Sequence, residues 1–128
     1  MMMDFKTAVA RLDARLGELE ELTSSPKWKQ VLADLRKRIK TKWSDTTVPQ
    51  VGKEIDIYVS CATPQAQDIF IENANRIFGD LVVQGDDFVL KFIVQKYQDK
   101  VIIRLRCIKP HSNVGKSQRQ VTEEDAAF

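Results

Sequence analysis

The stretch Lys53–Ala62, KEIDIYVSCA, decides the fold, because the hydrophobic pattern changes there from helical to strand-like. Apolar residues occupy every second position and alternate with polar residues or with Tyr58, which is typical of a strand with one buried face. The apolar set is Ile55, Ile57, Val59 and Cys61. The stretch therefore predicts a half-buried strand in the middle of the chain.

Two amphipathic helices precede this strand. The first, from about Asp4 to Leu22, has an apolar seam at alternating steps of four and three residues, formed by Phe5, Val9, Leu12, Leu16 and Leu19. The second runs from Pro26 to about Trp43, and the Ser before Pro26 can cap its first turn. Because the link is short, we expect an antiparallel helical hairpin whose seam packs in the core. Dimerisation through the first helix is the alternative use of that seam.

A third helix and three strands follow the central strand. The helix starts at Thr63-Pro64 and ends near Gly79, and Leu81 to Val83 then lead into a two-residue Gly85-Asp86 hairpin turn. Two long alternating strands complete the order ααβαβββ. We expect an α+β fold, with an N-terminal antiparallel helical hairpin followed by β-α-β-β-β. Its four-stranded sheet should be curved and mostly antiparallel, with helices on one face.

The composition predicts a single folded domain. The chain has 128 residues, of which 43% are hydrophobic and 30% charged, as in ordinary globular proteins. We expect one α+β domain over residues 1–108 and a flexible tail over residues 109–128, where apolar residues are few. No signal peptide or long apolar run is recognisable, and both cysteines occupy apolar strand positions. These features favour a cytoplasmic protein in a reducing compartment, without membrane contact.

Positive charge is concentrated in the second helix. Residues 26–43 carry seven Lys and Arg against one Asp, a local charge of +6 in a chain of net charge +2, so the remainder carries −4. Such a basic stripe predicts a polyanionic partner, most commonly nucleic acid. The cations placed opposite the apolar face are Lys29, Arg36, Lys37 and Lys40, with Lys27, Arg38 and Lys42 at the margins. The alternative is a solvated face that pairs with acids of the first helix.

The outward face of the sheet is a second candidate for nucleic-acid binding. Its members are Tyr58, Lys91, Arg104 and Arg106, a mixture of aromatic and basic groups that single-stranded nucleic acid can use. Only Tyr58 is expected to stack on a base. Apolar neighbours on the same face, among them Ile93 and Ile102, favour instead burial under the helical hairpin or contact with a second copy in a homodimer.

The acidic end of the sequence is a candidate for protein binding. Its residues Glu123, Glu124, Asp125 and Phe128 resemble, in type only, the acidic tips ending in Phe of bacterial and some phage single-stranded DNA-binding proteins. That resemblance implies a tether that recruits a protein partner. The rest of the chain does not resemble the five-stranded barrel of those proteins, because it opens with two helices.

Catalytic and metal-binding patterns are weak. His111 is the single histidine and lies in the tail, and His and Cys together number three, too few for a typical zinc site. The acids Glu54, Asp56, Asp86 and Asp87 could gather magnesium for a nuclease, although two of them fit a hairpin turn. We expect no enzymatic activity, no cofactor and no metal.

The sequence thus favours a small nucleic-acid-binding accessory protein, of a size that suits a viral protein, with low sequence selectivity for single-stranded DNA or RNA. The alternative is a protein-interaction module, an adaptor or enzyme inhibitor, that dimerises or binds a partner through its sheet face.

Overall fold

The computed structural model describes residues 3–110, and this part of the chain contains three helices and four strands. They are α1 (Phe5–Leu22), α2 (Pro26–Trp43), β1 (Glu54–Ser60), α3 (Pro64–Phe78), β2 (Val83–Gln84), β3 (Val89–Tyr97) and β4 (Lys100–Ile108). The predicted element order and the α+β fold are confirmed. Most of the predicted tail, residues 111–128, lies outside the described part.

Each helix begins at a side-chain cap, and those of α2 and α3 are the caps that the sequence predicts. The side chains of Asp4, Ser25 and Thr63 accept hydrogen bonds of 2.8, 3.2 and 3.0 Å from backbone N–H groups three residues further on. Proline occupies the first position of α2 and of α3, where its missing N–H leaves no intrahelical bond unmade. These local signals fix where the helices start before any tertiary contact is considered.

The four strands form one curved antiparallel sheet in the order β1-β4-β3-β2. β4 pairs with β1 on one side and with β3 on the other, so that Ile103 lies opposite both Ile57 and Val94. Helix α3 carries the chain from β1 at one edge of the sheet to β2 at the other. One long edge of β1 therefore remains at the outside of the sheet, close to α2.

All three helices cover the same face of the sheet. The apolar positions predicted for β1, including Ile55 and Ile57, share a continuous core with the hairpin and with α3. Aromatic rings join the layers: Phe5 packs edge-on against Trp43 and Phe88, and Trp28 stacks on Phe70 with ring centroids 4.5 Å apart. The seam of the first helix is core, as expected for its packing in the hairpin.

The connection between β2 and β3 differs from the prediction. Gln84 pairs with Val89, so four residues link the strands instead of a two-residue Gly85-Asp86 turn. Phe88 turns into the core with 1% of its surface exposed, and a Cβ on Gly85 would lie 2.1 Å from its ring. The longer turn is needed because Phe88 fills the core, and glycine leaves room for that ring.

Candidate nucleic-acid interface

Arg36 lies between the two helices of the hairpin, and the prediction that it projects from the open face of α2 is corrected. Its Nε is 3.1 Å from Oδ1 of Asp13, and its Nη1 is 3.2 Å from Oε1 of Glu20. The hydrogen bonds to Asp13, which have the larger effect, and to Glu20 raise the pKa of the Arg36 guanidinium. Gly17 accommodates the group, because a Cβ there would lie 3.1 Å from its Cζ. Arg36 is neutralised within the hairpin.

The other three predicted cations of α2 are exposed. The Nζ of Lys29 donates a 3.0 Å hydrogen bond to the backbone carbonyl oxygen of Glu20, in the last turn of α1. Lys37 and Lys40 form no ion pair with any residue from 3 to 110. Two of the four predicted cations thus remain available to an external anion without losing an existing contact.

A groove of about 390 Å³ separates the carboxyl-terminal half of α2 from the outer edge of β1. Lys37, Arg38, Thr41 and Lys42 line its helical wall together with Asp34, and Ile57 and Tyr58 line its strand wall. A neighbouring space of about 310 Å³ continues the groove past Asp34 to Lys27 and Ser60. We call this continuous feature the α2–β1 groove. Its charged residues are four cations and one carboxylate, which gives it a strong positive charge.

Arg38 and Lys42 are groove residues that the sequence analysis left at the margins. Within the described part of the chain neither forms an ion pair, and both are exposed. The helical spacing could have placed them on this side of α2. Asp34, Arg38 and Lys42 follow one another at steps of four, and Arg38 lies seven residues after the buried Val31. Val31 itself lines the groove, so this side of α2 faces β1.

An aromatic pair lies beside the groove on the outer face of the sheet. Tyr58 and Tyr97 are 53% and 48% exposed, and their ring centroids are 5.8 Å apart in an edge-to-face arrangement. Ile102 lies opposite Tyr58 in the neighbouring strand and is only 3% exposed, although it belongs to the outer face. Only Tyr58 was predicted as an aromatic group of this face, and Tyr97 is a second one. The period-two pattern of β3 could have placed Tyr97 there.

The predicted sheet arginines are paired with carboxylates. Arg104 donates hydrogen bonds of 2.9 and 3.1 Å to both carboxylate oxygens of Asp56, and this contact raises its pKa. Arg106 pairs with Glu54, its partner in the β1–β4 register. The expectation that these arginines are free to bind phosphate is corrected, because the strand register brings a carboxylate to each. Lys91 is exposed and has no ion pair in the described part of the chain.

The helical hairpin does not cover the outer face of the sheet. Burial under the hairpin was one of the two alternatives predicted for this face. The hairpin contributes its apolar side to the core on the other face. Lys91, Gln95, Tyr58 and Tyr97 are exposed on the outer face. The acids Glu54 and Asp56 lie between the α2–β1 groove and the cations of β3 and β4, so the basic groups do not form one continuous path.

The four acids considered as a magnesium site do not meet. Glu54 and Asp56 lie on β1 and bind arginines of β4, whereas Asp86 and Asp87 lie in the β2–β3 connection at the opposite edge of the sheet. Among residues 3–110 no group of three or more His, Cys, Asp or Glu side chains is placed to hold a metal ion. The geometry gives no support to the nuclease alternative.

The two cysteines are buried free thiols on the core side. Burial raises the pKa of the Cys107 thiol, which disfavours the thiolate that would react or bind metal. The predicted partner-binding residues Glu123, Glu124, Asp125 and Phe128 lie outside the described residues. No helix in the described range is both long enough and apolar enough to cross a membrane.

Comparison with protein-family models, with curated proteins and with solved structures gives no match. The α2–β1 groove must therefore be interpreted from its own chemistry.

Proposed function

We propose that this protein binds single-stranded nucleic acid without catalysing a reaction, and that the α2–β1 groove is the binding surface. The observation that carries the proposal is the position of Lys37, Arg38 and Lys42, three exposed cations without a carboxylate partner in the described chain, beside the exposed ring of Tyr58. Such a concentration of like charge in one groove is self-repelling and attracts an anion from solution.

The cations would contact consecutive phosphates of the strand. Lys42 and Arg38 are one helical turn apart and Lys37 lies next to Arg38, so their charged groups can follow a polymer along the groove. Each phosphate contact releases counterions, which makes binding strongly dependent on salt. Because the contacts are to phosphates, the proposal implies low sequence selectivity.

The tyrosine pair supports a single strand over a duplex. Tyr58 is at the rim of the groove and Tyr97 packs against it, so unpaired bases of a strand in the groove could stack on exposed aromatic surface. Bases in a duplex are already stacked on one another, and their faces are not accessible to these rings. Stacking on aromatic side chains contributes about 1–3 kcal/mol per base and tolerates any base.

A salt titration of affinity tests this proposal. We expect a fluorescein-labelled oligothymidine to bind with an affinity that falls as salt rises. If three or four of the groove cations Lys27, Lys37, Arg38 and Lys42 contact phosphates, log K against log salt should have a slope of about −2 to −3. Fluorescence anisotropy measures it, with a duplex of equal length as the comparison. Absence of binding at low salt, or an affinity that does not change with salt, would contradict the proposal.

The second candidate function is a protein-interaction module that uses the outer face of the sheet. It is favoured by the exposed Tyr58 and Tyr97, together with partly buried Ile93 and Ile108, on a face that no described element covers. This candidate predicts a homodimer or a stable protein complex that ignores nucleic acid. Reversing the charges of the α2–β1 groove would leave such a complex intact, whereas it would abolish binding of a polyanion.

A further inference from the structure

The outer edge of β1 has unused backbone hydrogen-bonding groups. Lys53 and Cys61 make their backbone bonds toward the β4 side, to Cys107 and Asp99. Because bonding direction alternates along an antiparallel strand, the backbone groups of Glu54, Asp56, Tyr58 and Ser60 point away from the sheet. Within residues 3–110 the carbonyl of Ser60 accepts from Lys27 Nζ at 3.3 Å, and the groups of Asp56 and Tyr58 have no backbone partner.

From Ile57 to Ser60 this free edge borders the α2–β1 groove. Lys27 lies near the end of β1, and Lys37, Arg38 and Lys42 lie beside Ile57 and Tyr58. With Asp34 as the one acid among the charged lining residues, the groove carries a net charge of +3. An extended chain with negative charge therefore fits both requirements, since it could supply backbone partners to the edge and carboxylates to the cations.

We propose that residues 121–128 of the same molecule, VTEEDAAF, dock along the β1 edge as an added strand. This segment contains three acids and no Lys or Arg, which matches the groove in magnitude and opposes it in sign. It begins with Val121 and Thr122, two β-branched residues that favour extended backbone. Backbone pairing would hold the strand, and ion pairs to the α2 side of the groove would fix its position.

The chain is long enough for this contact. β4 ends at Ile108, on the same side of the sheet as the start of β1, because Glu54 pairs with Arg106. Residues 111–120 can extend over about 33 Å, and the seven residues of β1 cover about 23 Å. The acidic segment can therefore reach either end of the groove without disturbing the sheet.

Docking would place the acidic segment where the proposed nucleic acid binds. The two would compete, so the segment would lower the affinity for a polyanion and make its salt dependence shallower, because salt weakens both contacts. That regulatory consequence rests on the proposed function, whereas the docking itself does not.

Backbone amide exchange in the full chain tests the docking directly. The wild type is compared with a variant carrying Glu123→Gln, Glu124→Gln and Asp125→Asn, at low salt and by hydrogen exchange read by NMR. We expect the Asp56 and Tyr58 amides to exchange at least about tenfold faster in the variant, since their hydrogen-bond partners are lost. The Ile57 amide, which points toward β4, serves as the internal reference.

A matched control removes three acids elsewhere. Glu18→Gln, Glu21→Gln and Glu72→Gln alter exposed side chains that form no ion pair in residues 3–110, and they change the net charge equally. The control should exchange like the wild type. Equal, rapid exchange of Asp56 and Tyr58 in wild type and variant would overturn the docking. Protection that rises with protein concentration would overturn the intramolecular assignment.

The same variants separate this inference from the proposed function. If the segment docks and the groove binds nucleic acid, the acid-removing tail variant binds oligothymidine several-fold more tightly than the control variant. If the groove binds no nucleic acid, affinity is absent in both variants, and the exchange difference at Asp56 and Tyr58 persists.

Discussion

Replacing Lys37, Arg38 and Lys42 together by Glu is expected to lower the affinity for single-stranded oligonucleotide at least about a hundredfold at low salt. A unit charge in contact with a phosphate is worth about 1 kcal/mol even in a medium like water, so losing the three attractions alone costs about 3 kcal/mol, and the new repulsions add to that loss. A loss of about 3 kcal/mol corresponds to that hundredfold change. Anisotropy titration measures it, and the salt slope should fall toward zero.

A matched variant separates the groove from the total charge of the protein. Lys6, Arg11 and Arg15 are exposed cations of α1 that form no ion pair among the described residues. Changing these three to Glu alters the net charge by the same amount, and the affinity for the oligonucleotide should stay within about threefold of the wild-type value. Arg36→Gln should also retain affinity, because that guanidinium is already paired. If both triple variants lose affinity equally, binding depends on net charge and not on the groove.

Phe5→Ala is expected to lower the free energy of unfolding by about 3–5 kcal/mol, the range for removing a buried phenylalanine ring. Phe5 is 1% exposed, and its ring centroid is 5.4 Å from that of Trp43 and 5.2 Å from that of Phe88. It thus joins the start of α1, the end of α2 and the β2–β3 connection. Urea denaturation followed by tryptophan fluorescence and by circular dichroism measures the change.

Two controls bracket this result. Phe5→Leu keeps most of the buried volume and should cost about 1.5 kcal/mol or less. Leu22→Ala changes a side chain that is 82% exposed and should stay within about 0.5 kcal/mol of the wild type. If the free energy of unfolding of Phe5→Ala lies within about 1 kcal/mol of the wild-type value, these aromatic contacts do not hold the layers together.

Most of the fold could be predicted from local features of the sequence. Ser25 and Thr63 cap the helices that they were expected to cap, and the alternation from Ile55 to Cys61 gives the buried face of β1. These features depend on residues within a few positions of each other, so the sequence contains them directly. The β2–β3 turn was predicted wrongly because strand parity placed Phe88 within the strand, whereas it lies in the connection and packs on Phe5 of helix α1, far away in the sequence.

The candidate site was less accessible to sequence reasoning. Helical periodicity identified Lys37 and Lys40 as exposed and left open pairing with acids of the first helix, but it could not tell that Arg36 is the cation that meets Asp13 and Glu20. Likewise, strand parity placed Arg104 on the outer face, and only the register between β1 and β4 brings Asp56 beside it. Charge on one element was visible in the sequence, whereas its neutralisation by another element needed the tertiary arrangement.

The location of the binding surface can be tested most directly by an NMR titration of the full chain with unlabelled oligothymidine. We predict that the backbone amides of residues 37–42 and of Tyr58 shift together and saturate with one dissociation constant. The amides of Arg104, Arg106 and α3 should remain in place. Largest shifts on α3 or around the paired arginines, or no shifts at low salt, would contradict binding in the α2–β1 groove.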